Sequence, residues 1–427
     1  MPTHEIRRAY KRPAISDQQK RRELSLLRQQ QSRSDAQSQA RRLASTLFSL
    51  NQPTPSTSSA ATAAADDPID VDIDSEEEDD QQNSPQLENI KDVRQASKLR
   101  GQESRRWFAR QLMLPEWMID VPDRLSQDWF VLARPAGKRC FVVSTNGTTV
   151  SRQRNGIVLH HFPSALPCGA RTRGNSAAQS YCILDCIFHE MDQTYYVIDM
   201  LCWGGYSLYD CNAEFRFFWS NSKLAESGAC EPPSQYHRYR FSPVPVYNCD
   251  QNGLLSAYTG QVPYVKDGLL FYNKHAHYQS GNTPLTLVWK DEKCSQYVID
   301  TDSKGEVPSK QQVVLELQND GTVITSDDPP VVFGCLDQEI LQKSGFCQGS
   351  LLRFSINDGG LTFIDGKLEK ADLQFQDKPN RARAFADSYS KVVFQYMARH
   401  SPLKIDDFLG TINSQSDQES KDVEMSG

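Results

Sequence analysis

Arg134-Pro135-Ala136-Gly137-Lys138-Arg139 separates two short hydrophobic runs, Trp129–Leu132 and Cys140–Ser144. Pro135 and Gly137 punctuate it as a turn between strands. Three of its six positions are cationic and none is acidic. An arginine such as Arg134 stays protonated and cannot act as an amine nucleophile. Runs of the same alternating, aromatic and β-branched kind recur at Tyr181–Phe188, Tyr195–Met200, Phe215–Trp219, Leu269–Tyr272 and Leu285–Trp289. They predict a mainly antiparallel α+β domain over residues 104–302, with residues 223–250 as a loop excursion.

A second β-rich group follows at Gln312–Leu317, Val331–Phe333, Ser350–Ile356 and Leu361–Ile364. Helical spacing then runs over Arg381–His400, on Phe385, Tyr389, Val392, Val393, Tyr396 and Met397. Residues 303–405 are therefore read as a β-rich unit and residues 406–427 as a polar, disordered tail.

The other end of the chain is basic. Residues 1–48 hold eleven Arg or Lys against four Asp or Glu. No Pro or Gly interrupts Ser16 to Phe48, and Leu24, Leu27, Ala36, Ala40, Leu43 and Leu47 recur at roughly helical spacing. This predicts a basic helix, only partly formed unless something covers its thin apolar stripe. Residues 49–103 form a linker, with Pro, Ser, Thr and Ala over 49–65 and ten acidic groups and no basic one over 66–80. Such a segment has too few apolar groups to offset the entropy of ordering. Opposite charge makes the 66–80 run a candidate to fold back over the arm. The formal net charge of −7 hides this segregation.

No run of eighteen apolar residues occurs, so no membrane-spanning helix and no membrane partner are expected. The N-terminus has no apolar segment of the kind found in secretory signals. Eleven cysteines lie scattered without CxxC pairs or histidines at zinc spacing. They are read as reduced core thiols of a cytosolic or nuclear protein, with no metal.

Short motifs in a fixed order give the first family resemblance. Enzymes of the covalent nucleotidyltransferase superfamily, the messenger-RNA capping guanylyltransferases and polynucleotide ligases, attach a nucleotide to the lysine of K-x-D-G-x-R. Here Gly137 and Arg139 match, while Arg134 stands for the lysine and Ala136 for the aspartate. Ile183-Leu184-Asp185, Tyr196-Val197-Ile198-Asp199, Asp267-Gly268-Leu269-Leu270-Phe271 and Leu287-Val288-Trp289-Lys290 resemble the later strands of that superfamily, and Asp377-Lys378-Pro379-Asn380 its closing motif on an OB-like domain. The fold this implies is a guanylyltransferase- or ligase-like nucleotide-binding domain followed by an OB-like one.

A closer resemblance is to the snurportins. It rests on Gln111-Leu112-Met113-Leu114, Glu116-Trp117, Ile119-Asp120-Val121-Pro122, Gly137-Lys138-Arg139, Cys202-Trp203, Tyr209-Asp210-Cys211, Phe215-Arg216-Phe217 and the N-terminal Ala40-Arg41-Arg42-Leu43-Ala44. It covers residues 5–48 and 104–290. The resemblance implies a monomeric nuclear import adaptor that shuttles between nucleus and cytoplasm. Its body would bind the 2,2,7-trimethylguanosine cap of spliceosomal small nuclear RNAs and so carry their ribonucleoprotein particle. Its arm would be gripped by importin-β through Lys20, Arg21, Arg22, Leu24, Leu27, Arg28, Arg41, Arg42 and Leu43. Return by an exportin is implied as well, although Met1–Tyr10 shows no spaced leucines. No cofactor is implied.

Within the cap site, N7 methylation makes guanine cationic and draws it to an indole face. The resemblance assigns the stack to Trp289 and the apolar wall for the N2-methyl groups to Trp117. Lys138, Arg139 and Arg154 would face the triphosphate, and Cys140 would touch the ligand through its backbone. Pro115 stands where the family has a serine that bonds the cap, and proline offers no hydroxyl. The competing expectations are an active RNA guanylyltransferase, with Lys138 the nearby amine, and an importin-bound protein whose cap pocket has degenerated.

Overall fold

The Arg134–Arg139 turn carries the chain from one sheet into another. The computed structural model describes residues 18–35, 93–171, 180–234, 237–302, 304–364, 367–379 and 385–414. Its strands are β1 (Met113–Trp117), β2 (Trp129–Pro135), β3 (Lys138–Thr145), β4 (Thr148–Gln153), β5 (Val158–Phe162), β6 (Cys182–His189), β7 (Thr194–Trp203), β8 (Tyr206–Ser207) and β9 (Arg240–Pro243). They continue as β10 (Val246–Asn248), β11 (Lys266–Asn273), β12 (Gly281–Trp289), β13 (Gln312–Leu317), β14 (Thr322–Ile324), β15 (Val332–Cys335), β16 (Leu351–Ile364) and β17 (Lys367–Asp377). The fold class read from the sequence, α+β with antiparallel sheets, is the one observed.

Sheet one has the order β1-β12-β11-β2-β10, and sheet two runs β5-β4-β3-β6-β7-β8 with β9 beside β7. Their pairings are antiparallel except β1 with β12 and β7 with β9. Alternation gives each strand an inner and an outer face. Leu132, Leu270, Tyr272 and Val288 of sheet one meet Phe141, Val143, Ile183 and Ile187 of sheet two in a shared core. Outer faces are covered separately. Val131, Leu269, Phe271, Leu287 and Trp289 pack under Met397, Phe408 and Ile412, whereas Cys140, Cys182, Cys186 and Tyr195 form the outer core of sheet two. Residues Gln312–Asp377 build a third, antiparallel sheet in the order β15-β14-β13-β16-β17.

Three sequence expectations are corrected here. Phe215–Trp219 is not a strand but part of helix α1 (Ala213–Glu226), capped by the Asn212 side chain accepting the Phe215 N–H. Ala213, Arg216, Phe217, Ser220 and Leu224 are its buried positions, a 3.6-residue period that outweighs the aromatic alternation. The 223–250 excursion supplies β9 and β10, which extend sheets two and one. The stretch read as a tail from residue 406 forms a helix over 405–414, because Phe408 and Ile412 bury against sheet one. Of the predicted helix over 381–400, Tyr389–His400 forms helix α2, and residues 381–384 lie outside the described residues.

Residues 18–35 form a helix. Arg41, Arg42, Leu43 and the 66–80 run lie outside the described residues.

Candidate nucleotide-binding cleft

Polar side chains of the inner faces of sheets one and two collect near the turn that joins them. Gly137 makes the crossing possible. Its φ is +142°, and a Cβ there would stand 2.2 Å from the Phe188 carbonyl oxygen. Arg134, two residues after Leu132 on β2, shares that residue's inward face. Its guanidinium pairs with the Asp267 carboxylate at the start of β11. Lys290, which follows β12, donates to the same carboxylate at 2.5 Å, and the Ser295 hydroxyl donates to it at 2.7 Å. Two cations thus share one carboxylate, leaving a surplus positive charge.

Arg139 lies across the cleft. Its Nε and Nη2 donate to the two oxygens of Asp185 at 3.0 and 2.7 Å, and the Tyr278 hydroxyl donates to Asp185 Oδ2 at 2.7 Å. Burial alone would lower the Arg139 pKa, but the Asp185 contact reverses this and holds it above the ordinary arginine value. Behind it, the fully buried Arg216 of α1 forks onto Asp199 at 2.8 and 2.9 Å. Arg216 Nη1 also donates to the carbonyls of Cys211 and Ala276.

Burial raises the pKa of Asp267, yet Arg134 and Lys290 outweigh it and hold that carboxyl below its ordinary value. A carboxylate with a depressed folded pKa contributes stability above its unfolded pKa of about 4, and that contribution disappears as pH falls through the folded value. Replacing Asp267 by Asn is therefore expected to destabilise the protein near neutrality and to matter progressively less below about pH 4. Urea unfolding across that range checks it; a stability difference independent of pH would refute the ionic role of Asp267.

The predicted site residues divide. Pro115 and Trp117 lie on β1 at the cleft edge, with Trp117 half-buried. The Trp117 ring stands 4.8 Å from that of Phe394, with Lys290 Nζ 5.7 Å from its centroid, and its backbone N–H donates to Ser390 Oγ at 3.0 Å. Lys138 is 45% exposed and pairs with Glu190 at 2.5 Å. Arg154 lies just past β4 with its guanidinium 5.6 Å from the Phe385 ring, so the segment from Phe385 to Ser390 reaches from sheet two to Trp117. Cys140 points out of the cleft, since β3 turns Arg139 and Phe141 inward and Cys140 into the outer core. Its thiol is pushed up to about 12 by burial.

Trp289 is the main correction. Val288 and Lys290 share the inward side of β12, so alternation turns Trp289 outward into a sealed core, where it is 0% exposed. Its Nε1–H donates to the Leu403 carbonyl at 3.1 Å, and the Phe408 and Tyr258 rings stand 5.0 and 6.0 Å away. No indole face remains for a base. The sequence reading missed Lys290, Asp267 and Tyr278 as cleft residues. The signal for Lys290 was the single cation ending an apolar strand. A cavity of about 330 Å³ adjoins Lys290, lined also by Met118, Phe394, Met397, Leu403 and Lys404.

Residues 111–290, which hold this cleft, match the family described as Snurportin1, m3G cap-binding domain. Solved structures with a similar trace include a mycobacterial DNA ligase D complexed with ATP and MES, 12% identical with a TM-score of 0.31, covering 65% of this chain and 98% of that one. Another is the ligase domain of M. tuberculosis LigD, 11% identical with a TM-score of 0.29, covering 62% of this chain and 93% of that one.

Proposed function

From the premise that residues 111–290 carry a snurportin-1 type m3G cap-binding domain, we propose that the whole chain is a non-enzymatic nuclear import adaptor. The domain binds the trimethylguanosine cap; the basic arm links the capped small nuclear ribonucleoprotein to importin-β, and the chain moves between cytoplasm and nucleus. The family match over the cleft carries the cap reading. Arg134 supports a role without nucleotide transfer, because a guanidinium fixed on Asp267 offers no amine to attack a phosphate.

With Trp289 withdrawn into the core, the stacking role passes to Trp117. Its ring is half-buried beside Phe394 at the cleft edge. A cationic, methylated purine on that indole gains both stacking and cation–π attraction. Arg134, Lys290 and Arg139 offer cations in the cleft for the phosphates, whereas Lys138 falls on the outward side of β3 with Cys140 and pairs with Glu190. Charge-assisted hydrogen bonds from the cleft cations add affinity with little base selectivity.

Trp117→Ala is expected to weaken binding of a trimethylated cap dinucleotide by about ten- to a hundred-fold, from a stacking contribution of about 1–3 kcal/mol. Fluorescence titration measures it, with monomethylated and unmethylated dinucleotides as competitors. Undiminished affinity would remove Trp117 from the site, and equal affinity for all three dinucleotides would defeat cap recognition. Incubation with labelled GTP and a divalent metal should give no covalent adduct; an adduct would restore the enzymatic reading.

A further inference from the structure

Part of the basic arm is docked on the body. The helix over residues 18–35 lies against β1 and the β11–β12 connection, and the face it buries is polar. Gln18, Arg22 and Gln29 are only 1%, 5% and 6% exposed, while Leu24 and Leu27 on the opposite side are 42% and 59% exposed. This inverts the usual amphipathic arrangement.

Glu116 of β1 holds the helix. Arg21 Nη1 and Nη2 donate to its two carboxylate oxygens at 2.7 and 3.0 Å, and Gln18 Nε2 donates to Oε2 at 3.0 Å. The Arg22 guanidinium stands 5.6 Å from the centroid of Trp129. Further along, Gln29 Oε1 accepts the His277 backbone N–H at 3.2 Å. The helix is therefore tied at its start and again at Gln29, with its last turns exposed.

The tie is weak by construction. The contact rests on an ion pair in which Glu116 is buried and Arg21 is 40% exposed, so the desolvation of Glu116 offsets part of the Coulomb gain. Arg22 Nε and Gln29 Nε2 are buried without a hydrogen-bond partner among the described residues, a cost that release removes. Burial lowers the Arg22 pKa to about 10. Undocking would return Glu116, Arg21 and Arg22 to water together, stranding none of them.

We infer that the surface formed by Glu116, Trp129 and the His277 backbone is a docking site for the chain's own basic helix, and that docking there excludes an external acidic partner. The part that names importin-β as that partner rests on the proposed function. Arg21 cannot pair with Glu116, nor Arg22 stay buried beside Trp129, while either enters an acidic groove. Leu24, Leu27, Lys20 and Arg28 face outward and remain available for a first encounter. The partner's observed affinity is then reduced by the fraction of chains in which the helix is docked.

Hydrogen exchange on the full chain tests this, comparing the natural protein with Glu116→Gln. The variant keeps the shape of the side chain and removes its charge. Amide exchange within residues 18–35 should rise about ten-fold, the loss expected for a charge-assisted bond, and importin-β should bind the variant several-fold more tightly. Gln18→Ala combined with Gln29→Ala touches only the arm and should act in the same direction, which covers the case in which the strand change perturbs sheet one. Equal exchange over 18–35 in all three proteins would overturn the docking site. Faster exchange with unchanged importin-β affinity would overturn the exclusion. If importin-β bound none of the proteins, the partner assigned to the arm would fall, and the exchange data would still judge the docking.

Discussion

Replacing Trp289 by alanine is expected to lower the unfolding free energy by about 3–5 kcal/mol, the range for a large aromatic removed from a sealed core. The indole is fully buried among Phe271, Tyr258, Met397 and Phe408. Its loss opens a cavity and also strands the Leu403 carbonyl that accepts the indole N–H. Much of the destabilisation should fall on the helix over 405–414, whose Phe408 ring stands 5.0 Å from the indole. Trp289→Phe keeps most of the volume and should cost less. Denaturant unfolding measures stability, and cap titration on the folded fraction measures binding. Loss of cap affinity at unchanged stability would return Trp289 to the ligand site; lost stability with retained affinity is the outcome the core placement requires.

Asp199→Ala should be about as damaging, at about 3–5 kcal/mol, because it leaves the Arg216 guanidinium buried without its counter-charge. Both side chains are fully buried. Arg216 still bonds the Cys211 and Ala276 carbonyls, so it cannot simply swing into water. The pair joins α1 and β7 to the segment ahead of β12, and its loss should loosen the wall behind Arg139. Removing both charges together, as Asp199→Leu with Arg216→Met, is expected to cost less than the single change, since apolar replacement of a whole buried pair is often close to neutral. Urea midpoints for the two variants decide this. A double variant no better than Asp199→Ala would show that the carbonyl bonds, rather than the charge, govern the site.

The strands around the cleft were legible because their alternation is clean. Trp129–Leu132 and Cys140–Ser144 each fall within an observed strand, and Tyr181–Phe188 overlaps β6 from Cys182 on. Two kinds of signal misled. In Phe215–Trp219 aromatic content suggested a strand, while the deciding features were Asn212 as a cap and the spacing of Ala213, Arg216, Phe217 and Ser220. In Leu285–Trp289 the direction is weakly marked, because only Thr286 breaks the apolar run. Thr286 and Lys290, which share the side of Val288, mark which face is turned to the polar cleft. The cations of the turn were readable from residue type alone. Their partners Asp185 and Asp267 lie far away in sequence, and no local pattern announces such a pairing. The helix over 405–414 escaped because its apolar stripe is short, Ile405, Phe408, Leu409 and Ile412 in an otherwise polar stretch.

The parallel pairing of β1 with β12 sets Met113 against Gly281 and Trp117 against Val288. The first strand of the domain is thus held by its last. During synthesis, sheet one stays open until residues beyond Trp289 have left the ribosome, and loop closure over so long a span is intrinsically slow. Nascent chains halted before β12 should expose β1 and the unpaired edge of β11, making this the interval in which the protein most depends on chaperones.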